Sequence, residues 1–157
     1  MSIKNKLLSF IKSFKFAFNG IISTIKSERN MRIHLCAAFY VLVFMRFYEL
    51  SVAEEAVVFL TIGFVISLEI VNTAVESVVN LCAPEYHYLA KKAKDASAGA
   101  VLISAIVSVS VGIKIFWDIP TFKQIYFYFT NHLLAPIGLI ISLFLWIFFI
   151  FALYSNK

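Results

Sequence analysis

The sequence predicts an all-α integral membrane protein: an N-terminal amphipathic helix at the membrane interface leads into four membrane-spanning helices. Three observations carry this. Hydrophobic residues make up 61% of the 157 and charged residues only 15%, with a mean hydropathy of +0.87; a soluble domain of this length cannot hide so much apolar surface. The apolar residues come in long runs of the kind that cross a hydrocarbon core about 30 Å thick. The basic residues cluster beside these runs, and an excess of +5 placed there sets topology and binds anionic headgroups. They are not interleaved with an aromatic recognition motif, which excludes nucleic acid as a partner. Cys36 and Cys82 lie in apolar surroundings without CxxC or Cys/His spacing, so they read as inert packing residues.

Residues 5–27 are the surface helix. Leu7, Phe10, Ile11, Phe14, Phe18, Ile21, Ile22 and Ile25 recur at helical spacing, and Lys12, Lys15, Asn19, Ser23 and Lys26 take the other side, so the helix lies in the interface. Lys12 and Lys15 interrupt any signal-peptide core, and no small-residue cleavage site follows. ERNMRIH, residues 28–34, is a charged hinge into a first span at about 33–52. Only thirteen residues separate Arg32 from Arg46, fewer than the ~20 a crossing needs. The span therefore continues through Phe47, Tyr48 and Leu50, with Arg46 snorkelling.

Glu49, Glu54 and Glu55 mark a short outer turn before a second span at about 56–83, which Pro84 ends. EYHYLAKKAKD, residues 85–95, is a polar loop or short helix. A third span at about 96–117 opens on ASAGA, small enough to admit another backbone. Asp118 and Pro120 begin a short connection, and residues 133–154 carry no charge, the length of a fourth span. We divide the chain at 118, with residues 119–157 an extension. Placing residues 1–32, 85–95 and the C-terminus on one side gathers eleven of the fourteen Lys and Arg there. That side is cytoplasmic and holds both termini.

The second span carries the chemistry. Between Ala56 and Pro84 its only formal charges are Glu69 and Glu76. Glu69, Asn72, Glu76 and Asn80 fall within a stripe of about 80° on one helix face. Carboxylates in hydrocarbon mark a functional site by default. The topology collects Glu28, Glu76, Glu85, His87, Lys94 and Asp95 at the cytoplasmic boundary, with Glu69 roughly 10 Å deeper. Paired carboxylates at such an edge can hold Mg²⁺ together with substrate phosphates, and a lysine can neutralise phosphate charge. A deeper carboxylate can take the proton of a hydroxyl arriving from the lipid. These are the needs of phosphoryl transfer from a nucleotide to a lipid alcohol. No Walker A motif or glycine-rich kinase loop is present, so the nucleotide must sit on helix ends and loops. Taken singly, Glu28 reads as a solvated charge, Lys91, Lys92 and Lys94 as topology anchors, Asp95 as the N-cap of the third span, and His34 as a packing residue.

EIVNTAVESVV followed by EYHYLAKKAKDASAGAVL (residues 69–102), with FAFNGIISTIKSERNMRIHL (residues 16–35) before it, resembles the small prokaryotic diacylglycerol kinase family, which includes the undecaprenol kinases. The likeness covers roughly residues 10–115. It implies a homotrimeric kinase of the bacterial inner membrane with a surface helix and three spans per subunit. By position, Glu69 would be the general base and contact the substrate, with Asn72 its neighbour in the active site. Glu28 and Glu76 would hold Mg²⁺ and, with Glu85, Tyr86, His87, Lys94 and Asp95, the ATP. Two features depart from the family: Asn80 replaces its usual Asp, and the fourth span is an addition to its three.

FKFAFNGI and ERNMRIHLCAA look more like the Gram-positive undecaprenol kinases than the Gram-negative diacylglycerol kinases. Undecaprenol is therefore the expected acceptor and diacylglycerol the alternative. From another class, a bundle conducting ions or protons through Glu69 and Glu76 would explain those acids, but it leaves EYH, KAKD and the basic surface helix without a role.

Overall fold

A computed structural model describes residues 3–152, and all its regular elements are helical. In chain order they are α1 (Ile3–Ser27), α2 (Arg29–Phe44, continued by a 3-10 turn, Met45–Phe47), α3 (Val52–Cys82), α4 (Tyr88–Phe116), α5 (Ile119–Asn131) and α6 (Leu134–Ala152). Among the described residues, α2 with its 3-10 turn, α3, α4 and α6 are long and apolar enough to cross a membrane. α1 is exposed from Ile3 to Ser23; near its C-terminal end Thr24 is buried and Ile25 and Ser27 are half-buried, as suits a helix lying on a surface and anchored at one end.

α3 and α4 form the principal antiparallel pair, tied at three levels. The Ser108 hydroxyl donates to the Thr61 carbonyl (3.4 Å), Ser97 to the Asn72 side-chain oxygen (2.6 Å) and Lys94 to the Asn80 side-chain oxygen (2.6 Å). Between helices in lipid, apolar contact provides little driving force and such hydrogen bonds contribute on the order of 1 kcal/mol each. The interior reflects this. Beside the buried Met31, Ala38, Met45, Val58, Val65 and Val101 stand five buried polar residues, Thr24, Arg32, Glu69, Asn72 and Ser104. The large apolar side chains, such as Phe64, Leu102 and Ile106, face outward.

Several helix ends differ from the sequence expectation, each for a local reason. Only Glu28 of the charged hinge leaves the helix, with extended backbone (φ −105°, ψ 119°); Arg29 already begins α2. The first span's helix stops at Phe47, short of Leu50. α3 begins at Val52 rather than near 56, because Ser51 and Glu54 form a reciprocal capping box. The helix that carries the third span does not start at Ala96. α4 runs unbroken from Tyr88, since YLAKKAKD consists largely of strong helix formers. Asp95 is thus inside the helix and not its N-cap; His87 takes that place, its Nδ1 accepting from the Leu89 amide (3.2 Å). The expected close backbone approach at ASAGA is not made at Gly99 within one chain, where a Cβ would meet no heavy atom within 4 Å.

The connection after Asp118 is itself a helix. Asp118 caps α5 by accepting from the Thr121 amide (3.0 Å) and hydroxyl (2.6 Å), and Pro120 sits in the first turn. Pro136 likewise lies in the first turn of α6, where a missing N–H costs nothing. Tyr154, the expected end of the fourth span, is outside the described residues.

Candidate functional site

On α3, the 3.6-residue repeat turns Glu69 and Asn72 inward, leaves Glu76 half-buried and exposes Asn80. Glu69 is 2% exposed and lines, with Asn72, a pocket of about 250 Å³ whose other walls include Asn30 and His34 of α2 and Ala98 and Val101 of α4. The Asn72 side chain is fixed at both ends. Its oxygen accepts from Ser97 and its nitrogen donates to the Glu76 carboxylate (3.2 Å). A polar chain thus runs from α4 through Asn72 to Glu76, holding one Glu76 oxygen toward α3. Glu28 stands half-buried between α1 and α2.

A second cleft, about 340 Å³, lies where α3 ends and α4 begins. Glu85, Tyr86, His87, Lys94 and Asp95 all line it, with Asn80 and Lys91. The structure therefore brings all five of these sequence-selected residues to one place. Glu28 and Glu76 do not line it, and the Glu69 pocket is separate from it. Asn80 accepts from Lys94 and so sets where that ammonium stands.

The donor set bears on the metal. Among the described residues no three His, Cys, Asp or Glu side chains converge as a metal cage. Glu28 and Glu76 fit an ion held by one or two carboxylates and completed by phosphate and water, which is the habit of Mg²⁺. They do not fit a closed structural site.

Three residues escaped the sequence reasoning. Ser97, one small residue in ASAGA, gave no signal of its hydrogen bond. His34, read as packing, lines both the Glu69 pocket and an apolar cavity of about 220 Å³ between α2, α3 and α4. Arg32, read as a boundary charge, is fully buried.

A buried carboxylate within a helical bundle, with a separate cleft carrying a lysine and an aspartate at the bundle's edge, is an arrangement that phosphoryl transfer to a membrane lipid can use. Residues 15–116 match the sequence profile of the prokaryotic diacylglycerol kinases, and the chain belongs to that family. It is 46% identical over 113 residues to the undecaprenol kinase of Bacillus subtilis (strain 168), spanning 72% of this chain and 92% of that protein. It is 42% identical over 105 residues to a diacylglycerol kinase of Synechocystis sp., spanning 66% of this chain and 60% of that one. With the diacylglycerol kinase of Escherichia coli (strain K12) the identity is 28% over 108 residues. The profile ends with α4, so α5 and α6 lie outside it.

Proposed function

We propose that this chain transfers the γ-phosphoryl group of MgATP to the hydroxyl of undecaprenol, giving undecaprenyl phosphate, and that it does so as a homotrimer in the bacterial inner membrane with its site and both termini cytoplasmic. The observation that carries this is the placing of a buried Glu69 and of Lys94, held by Asn80, on one α3–α4 hairpin, with the fixed Asn72 and Glu76 between them. The Glu69 carboxylate accepts the proton of the lipid hydroxyl, whose oxygen forms the new bond to the γ-phosphorus as the bond to the ADP oxygen breaks. Asn72 orients the hydroxyl, and Lys94 and Asp95 hold phosphate and ribose or base, flanked by Glu85, Tyr86 and His87. Glu28 and Glu76 would hold Mg²⁺, which supplies neutralisation of the developing phosphate charge.

Undecaprenol is favoured by the identity to the Bacillus protein of that name. The alternative acceptor, diacylglycerol, draws on the names of the other relatives. The ion-conducting bundle has no support in a chain of a kinase family. The test is phosphorylation by purified protein in micelles with MgATP and each lipid offered separately. Preference for undecaprenol is expected; preference for diacylglycerol would replace the acceptor, and turnover of neither would remove the proposal.

A further inference from the structure

Arg32 is a cation buried completely in the bundle, and burial of an unpaired charge is costly. Its partners are backbone carbonyls of two helices. Nη1 donates to the carbonyls of Ile25 (2.8 Å) and Lys26 (2.9 Å) in the last turn of α1, and Nε donates to the carbonyl of Ile150 (3.2 Å) in the last described turn of α6. The Ile25 and Lys26 carbonyls close α1 and carry the negative pole of its dipole. Nη2 is buried, and among the described residues these three bonds hold the guanidinium.

α6 is not placed there loosely. Eight residues further along α2 and eight earlier along α6, Tyr40 and Ser142 share a hydrogen bond (2.9 Å), and Phe39 packs on Trp146 (5.8 Å between ring centres). The two helices are thus antiparallel in fixed register. What Arg32 ties to α6 is the elbow between α1 and α2. Its only non-helical residue is Glu28, whose amide donates to the Thr24 carbonyl (2.8 Å) and which stands one turn before Arg32.

We propose that α6, which lies outside the family profile, acts on the reaction through Arg32: by accepting from the guanidinium it fixes the α1–α2 elbow and so the position of Glu28. Arg32 is then a positioning residue for the metal and nucleotide end of the site. This rests on the assignment of Glu28 as a metal ligand. Misplacement of a positioned group by about 1 Å can lower a rate by about 100-fold, so a loosened elbow is expected to raise the Mg²⁺ needed for half-activation by about tenfold. The KM for lipid, set at the Glu69 pocket, should stay within about twofold, because uniform binding there is untouched.

The test uses full-length Arg32→Gln, Arg32→Lys, Glu28→Gln and the Arg32→Gln/Glu28→Gln pair. Three readouts are taken: Mg²⁺ activation, Mn²⁺ binding by electron paramagnetic resonance with an ATP analogue, and amide exchange over residues 24–32. The expected result is weaker metal binding and faster elbow exchange in Arg32→Gln, partial rescue by Lys, and no further loss on adding Arg32→Gln to Glu28→Gln. Tyr40→Phe with Ser142→Ala, which loosens α6 without touching Arg32, should move metal binding the same way by a smaller factor. Additive losses in the double variant overturn the coupling. Unchanged elbow exchange and metal binding after α6 is loosened overturn the part given to α6. If Glu28→Gln itself leaves Mn²⁺ binding intact, the metal assignment beneath the proposal fails, and the proposal with it. If Arg32→Gln does not fold, Arg32→Lys carries the same comparisons.

Discussion

Glu69 and Glu76 are chemically identical side chains placed in different surroundings by two turns of helix. Glu69 points between α2, α3 and α4, in a pocket where a proton acceptor is shielded from water; Glu76 is half-buried at the edge, one oxygen already taken by Asn72. Their substitutions should separate. Glu69→Gln is expected to lower kcat by about 10²–10⁴-fold, the usual worth of a general base, with binding of a fluorescent ATP analogue kept. Glu76→Gln should instead raise the Mg²⁺ requirement. Overlapping Mg²⁺ titrations for wild type and Glu76→Gln would remove the metal role. The stripe bearing both acids was legible in the sequence because a helix repeats every 3.6 residues. The Ser97 and Lys94 contacts that set Asn72 and Asn80 were not, since each joins residues on different helices.

At the scale of the element, α5 shows how a breaker in the sequence can be a start in the fold. Asp118 supplies the cap and Pro120 a fixed backbone angle where no amide is needed. The two Thr121 donors hold the Asp118 carboxyl below its usual 3.8. Because the folded value is depressed, the cap stabilises α5 above about pH 4 and is lost as acidification passes through the folded value. The Thr121 amide resonance should therefore titrate with an inflection below 3.8 and lose that inflection in Asp118→Asn. A resonance that ignores pH there would remove the cap. Tyr48 donates to the Phe116 carbonyl (3.0 Å), joining the end of α4 to the turn that follows α2.

At the scale of the whole molecule, orientation decides whether the chemistry is possible, since ATP is supplied from the cytoplasm. The bias of lysine and arginine toward residues 1–32 and 85–95 is the ground for proposing that the Lys94 cleft lies inside; on that proposal four crossings put α5 on the opposite face. In a Cys36→Ala/Cys82→Ala background, a cysteine at Gln124 should react with impermeant maleimide on intact cells. One at Lys12 should react only after permeabilisation. The reverse pattern would place the nucleotide cleft away from ATP and remove the proposed reaction. The outward-facing apolar side chains agree with lipid, or a neighbouring copy, as the surroundings of the bundle.

By itself the sequence determined that the chain is a helical membrane bundle, where most of its spans lie, and which face of α3 carries the acids. Hydrocarbon leaves the backbone no partner but itself, so long apolar runs become helices and their periodicity can be read directly. Only the tertiary structure decided that Arg32 is buried rather than at the water, that His87 and not Asp95 begins α4, and that α6 reaches the elbow carrying Glu28. Those outcomes depend on which carbonyls and side chains meet, across as many as 118 residues in the case of Arg32 and Ile150. No local pattern records a meeting at that distance, because its free energy comes from packing whole helices against one another.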